Sequence, residues 1–133
     1  MFDQELPKMD QKILIVDAHP VYSKKIESFL RGLTFQNVAL CHSGSDGISF
    51  AERLAPRLVI SSGMLPDLAS TEVCRKIREM MPSTGIIIQV GLFFSSEDVA
   101  QFRSAGADIV LARKERDLVP LQCALEKLLL ISC

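Results

Sequence analysis

Five short apolar runs recur along the chain: KILIVD (12–17), NVALCH (37–42), RLVISS (57–62), GIIIQV (85–90) and ADIVLA (107–112). Each has the length of a β-strand, and stretches such as ILIV and IIIQV hardly alternate apolar with polar positions. A strand covered on one face alternates, whereas one covered on both does not, so these runs predict strands buried between two layers. The segments between them have a helical period. Tyr22, Ile26, Phe29, Leu30 and Leu33 fall on one face and end at the Gly32–Thr34 region; Val73, Cys74, Ile77, Met80 and Met81 repeat the pattern until Pro82. GSDG at 44–47 reads as a helix-opening turn. Ser95 and Asp98 form a capping box before a fourth helix that Gly106 closes, and Asp117 is the expected cap of a fifth, with Pro120 in its first turn. Buried strands alternating with amphipathic helices predict an α/β fold: a doubly wound, five-stranded parallel sheet flanked by five helices.

At 133 residues the chain is one domain's worth of sequence; residues 1–10 read as an N-terminal extension and 11–133 as the folded domain. With 23% charged residues and a net charge of −1 there is no basic stripe, so a nucleic-acid partner for this domain is not expected. The opening MFDQELPKMD lacks the basic start and apolar run of a signal peptide, and no segment is apolar for long enough to span a bilayer, which makes the cytoplasm the expected location. Cys41, Cys74, Cys123 and Cys133 include no CxxC pair and face no matching pair of histidines, so neither a zinc site nor a redox motif is expected. Cys41, Cys74 and Cys123 lie in apolar segments and read as buried thiols; Cys133, at the chain end, reads as exposed.

Candidate chemistry gathers at the carboxyl ends of the strands, where parallel sheets bind ligands. Asp17, His19 and Ser62 belong to that edge, but ISSGM lacks the G-x-S-x-G elbow that a serine hydrolase uses to present its nucleophile. The loop DAHPVYS has no glycine to admit a phosphate close to the backbone, which weakens a flavin or nucleotide reading. His42, alone near a strand end, reads as a surface residue.

Three motifs in order, ILIVDAHP, LVISSGMLPD and SAGADIVLARK, resemble the receiver domains of two-component response regulators over about residues 11–130. The resemblance implies a flavodoxin-like fold with strand order 2-1-3-4-5. Receivers carry an acidic pair after the first strand, an acceptor aspartate ending the third and a lysine after the fifth; together these hold Mg2+ and take a phosphoryl group from phosphohistidine. Carried onto this sequence, the acidic pair falls on Asp17 and Ala18, the acceptor on Ser62 and the lysine on Arg113, with Lys114 one residue away. The family's switch hydroxyl falls on Val90 and its switch aromatic on Val110. Two of three carboxylates are absent, so the expectation is a degenerate pocket that needs no metal or cofactor, with Arg113 turned toward Asp17 as a structural ion pair.

These readings point to a non-enzymatic receiver-like domain in a phosphorelay system, acting as a phosphorylation-independent protein-interaction module. The alternatives are a receiver phosphorylated by an unusual route and a small-ligand-binding flavodoxin-like domain. Phe93, Phe94 and Val110 are the candidate partner contacts; the two phenylalanines alternatively fold over the vacant pocket. Leu129, Leu130 and Ile131 add to a helix already supplied with leucines and suggest a homodimer or a covalently linked output domain.

Overall fold

A computed structural model of the chain describes residues 10–129. Strands β1 (Lys12–Val16), β2 (Asn37–Cys41), β3 (Leu58–Ser62), β4 (Gly85–Val90) and β5 (Ile109–Ala112) alternate with helices α1 (Pro20–Gly32), α2 (Gly44–Leu54), α3 (Ser70–Met80), α4 (Ser96–Ser104) and α5 (Val119–Leu128). All strand pairs are parallel, in the order β2-β1-β3-β4-β5. The doubly wound sheet predicted from the apolar runs is therefore present, and its register explains their pattern. Ile13 and Ile15 point into a core shared with Tyr22, Ile26 and Leu30 of α1 and Leu121 and Leu125 of α5. Their neighbours Leu14 and Val16 point into a second core against Ala51 of α2, Val73 and Ile77 of α3 and Phe102 of α4. Successive residues serve opposite cores, so apolar side chains are required on both faces; each fully buried Ile or Leu contributes about 1.5–3 kcal/mol.

Helix ends follow local chemistry. His19 caps α1 by accepting from Tyr22 N at 3.0 Å, and Ser43 caps α2. The Ser95–Asp98 capping box is present at α4, and Gly106, at φ +117°, turns the chain away after it. Arg78 of α3 secures that turn: its guanidinium donates to the carbonyls of Gly106, Pro82 and Thr84 and to Asp108.

Four expectations change. The residue capping α5 is Leu118 rather than Asp117; Asp117 stands one place earlier and its carboxylate accepts from Val119 N. Helix α3 stops at Met80, which is exposed, while Met81 packs on the core from beyond the helix end. Cys123 is exposed, because the buried face of α5 runs through Leu121, Ala124 and Leu125 and leaves residue 123 outside; Cys41 and Cys74 are buried as expected. Leu129 is absorbed into the α1–α5 core instead of forming a surplus apolar surface. The extension before Asp10, and Leu130, Ile131 and Cys133, lie outside the described residues.

Candidate site at the carboxyl edge of the sheet

The two-residue period of a strand decides what gathers at this edge. Asp17 follows Ile15 on the α1 face of the sheet, Gln89 follows Ile87, and Arg113 follows Leu111. The ladder continues through Asp17 N to Cys41 O at 3.0 Å and Arg113 N to Val90 O at 2.8 Å, so neither residue frays from the sheet. The buried Asp17 carboxylate accepts from His19 N at 2.9 Å, which ties the β1–α1 loop to the helix that His19 caps. His42 is exposed as expected, and its ring Nδ1 lies 3.0 Å from the Asp17 carbonyl. Ala18, next to Asp17, is exposed and offers only a methyl group.

Arg113 does not pair with Asp17. Its guanidinium lies 4.0 Å from the centroid of the Tyr22 ring, a cation–π contact, and among the described residues the only carboxylate within 4.0 Å is that of Glu115, at 3.7 Å from Nε. Nε and Nη2 are buried without a hydrogen-bond partner. The expected ion pair fails because Tyr22, at the start of α1, offers its ring to the arginine while Asp17 already holds the His19 amide. Lys114 is exposed, so Arg113 is the inward-facing member of the basic pair.

Tyr22 and Gln89 complete an arrangement that the sequence reading missed. Both are buried, and Gln89 Nε2 donates to the Tyr22 hydroxyl at 2.8 Å. Burial pushes the Tyr22 phenol above its ordinary pKa of 10.0, against the opposing pull of Gln89 and Arg113. Gln89 was the available signal: a glutamine inside a run buried on both faces requires a partner.

Ser62 ends β3 and is buried. Its hydroxyl donates to Met64 O at 3.0 Å and accepts from Met64 N at 3.1 Å, so both of its hydrogen-bonding directions are used within the β3–α3 loop. The same loop reaches α2 through Asp67, whose carboxylate accepts from Gly44 N at 2.7 Å and Ser45 N at 3.0 Å. Those two amides hold the Asp67 carboxyl down from its ordinary 3.8 to about 2. Val90, at the end of β4, is buried and packs toward Gly63. Val110 is half-buried against the α2–α4 core. Of the adjacent phenylalanines, Phe94 turns inward to Phe102, with ring centroids 5.8 Å apart, while Phe93 is 99% exposed and Leu92 96% exposed. Phe94 is thus the inward-facing member of the pair and Phe93 the outward-facing one.

A parallel sheet in this order, with an acid after its first strand and a basic residue after its fifth facing one helix, defines a receiver-type signalling domain. The family model for the response regulator receiver domain matches residues 13–121, and the chain belongs to that family. It is 31% identical over 114 residues to the DNA-binding response regulator MtrA of Mycolicibacterium smegmatis, covering 84% of this chain and 48% of that protein. To the response regulator MprA of Mycobacterium tuberculosis it is 32% identical over 123 residues, covering 91% and 48%. The chain thus spans about half the length of the curated relatives it matches. Among solved structures, a two-component response regulator from Clostridium difficile superimposes with a TM-score of 0.83 at 20% identity, covering 90% of this chain and 96% of that one. The receiver domain of a sensor histidine kinase from Pseudomonas aeruginosa, solved with magnesium in its active site cleft, gives 0.75 at 27% identity, covering 90% and 97%. Among the described residues no helix is long and apolar enough to cross a membrane.

Proposed function

We propose that this receiver domain is a pseudo-receiver: a protein-interaction module of a two-component pathway that works without phosphorylation. The observation that carries the reading is Ser62, which stands where the resemblance expects the acceptor aspartate and whose hydroxyl is engaged on both sides by Met64. A neutral hydroxyl without an adjacent base is a poor nucleophile, and here its proton is already given to a carbonyl.

The metal requirement of an intact receiver supports the same reading. Mg2+ demands hard oxygen ligands in octahedral array. Asp17 supplies one carboxylate, one of whose oxygens already accepts from His19; Ala18 supplies none, and the Met64 carbonyl is taken by Ser62. The residues present do not fit the ion. Arg113, at the lysine position, lies against the Tyr22 ring and is not paired with Asp17. The output then rests on protein contacts, to a partner protein, a second copy or an output domain on the same polypeptide, as the longer relatives suggest.

Incubation with acetyl phosphate and Mg2+, read by intact mass, tests this directly. The expected spectrum is unchanged; stoichiometric addition of a phosphoryl group at an aspartate would overturn the proposal in favour of a receiver phosphorylated by an unusual route.

A further inference from the structure

An open groove of about 250 Å³ runs between the β3–α3 loop and α4, with Met64, Leu68, Ser70, Phe94, Asp98 and Phe102 among its lining residues. Met64, one of its lining residues, is 73% exposed, and Leu92 and Phe93, which precede the lining residue Phe94 in the chain, are almost wholly so. The groove lies on the α3 side of α4, away from β5 and α5.

Three observations bear on its occupant. The first is the apolar lining, since Leu68, Phe94 and Phe102 together would flank one large hydrophobic anchor. The second is the start of α3, where the lining residue Ala69 is the N-cap and has no side-chain oxygen to offer, so the first amides of the helix lack a side-chain acceptor. The third is charge. Residues 63–72 and 92–102 contain Asp67, Glu72, Glu97 and Asp98 and no lysine or arginine. Of these, Asp98 lines the groove and Glu97 is exposed next to it in the chain, whereas Asp67 is held by the α2 amides, so a cationic ligand is favoured over an anionic one.

We infer that this groove docks a short segment of a partner protein in which an apolar anchor side chain is flanked by lysine or arginine. The anchor lies against Leu68, Phe94 and Phe102. A backbone carbonyl of the segment meets the Ser70 end, and its basic side chain meets Asp98. The inference rests on the reading of the domain as an interaction module and names the chemistry of its partner.

Isotope-labelled full chain, without Mg2+ or acetyl phosphate, would be titrated with a synthetic peptide of alternating Lys, Leu and Phe, and with the same peptide carrying Glu in place of Lys. The expected result is saturable amide shifts confined to residues 63–71 and 92–102 with the lysine peptide alone. Raising salt from about 0.05 to 0.5 M should weaken that binding roughly fivefold or more. Glu97→Lys and Gln101→Lys, both at exposed positions, should each weaken it at least about threefold while leaving the spectrum folded. Equal binding of the glutamate peptide, shifts centred on β5 and α5, or no shifts at millimolar peptide would overturn the inference. So would movement of the same amides on simple dilution without peptide, because the groove would then hold a second copy. None of these results depends on the acetyl phosphate experiment, so either reading can fail while the other stands.

Discussion

Replacing Tyr22 by Phe removes one oxygen from the interior and changes little else. Gln89 Nε2 donates to that oxygen at 2.8 Å, and both residues are sealed from water. In Tyr22→Phe the amide keeps its desolvation penalty and loses its acceptor, a cost of about 1–3 kcal/mol, whereas the ring keeps its place in the α1–α5 core and beneath Arg113. A value of about 2 kcal/mol should lower the urea midpoint by roughly 1 M, taking a slope of about 2 kcal/mol/M for a chain of this size. Gln89→Leu alone strands the phenol instead and should cost about 1–2 kcal/mol. The double variant carries neither orphan. Its stability should return to within about 1 kcal/mol of the parent, giving a coupling energy of about 3 kcal/mol in the cycle. Equilibrium urea unfolding of all four proteins at pH 7 supplies the numbers. Additive single-variant effects, or a Tyr22→Phe protein as stable as the parent, would refute the claim that this buried pair holds α1 to β4.

The acids that the resemblance expects at this edge can be supplied in steps. Ser62→Asp alone should bind Mg2+ weakly, and adding Ala18→Asp should tighten it by about tenfold or more through the restored carboxylate cluster; equal affinity of single and double variants in a titration would contradict this. Asp67 sets part of the acid limb. Its folded pKa, about 2, lies below its ordinary 3.8, so the stability it contributes is complete above about pH 4 and lost as pH falls toward 2. Asp67→Asn should therefore flatten the unfolding midpoint across that interval, and an unchanged acid limb would speak against the Asp67–α2 contact. The buried thiols act at the other extreme. Burial pushes Cys41 from 9.0 up to about 12 and Cys74 up to about 11, so the folded state retains protons that the unfolded chain releases, and stability falls as pH rises from 9. Cys41→Ala should shallow that alkaline slope, measured by urea midpoints between pH 8 and 10.5.

The layered architecture was legible because burial on both faces leaves a direct trace, the non-alternating strand run. Helix caps built from neighbouring residues were equally legible, as Ser95 with Asp98 illustrates. Interactions that depend on which of several side chains reaches a point first were not. Asp17 and Arg113 share a sheet face by strand parity, yet the arginine is claimed by Tyr22, which arrives from α1. Asp67 caps a helix that begins 23 residues before it, a relation with no local sequence signal. Phe93 and Phe94 are chemically identical neighbours, and only the presence of Phe102 beneath one of them separates their roles.

The β3–α3 loop is pinned at both feet, by the Ser62–Met64 exchange at its start and by the Asp67 clamp on α2 at its end. A loop fixed in this way has surrendered its backbone entropy on folding, so a protein that meets Met64 encounters a side chain on an immobile mount. Association then carries no ordering cost for the loop, and complementarity can be expressed as affinity even over a small contact area. On the proposed phosphorylation-independent reading, the serine substitutes a fixed shape for a reactive group, and regulation would pass from the occupancy of a pocket to the abundance of whatever binds.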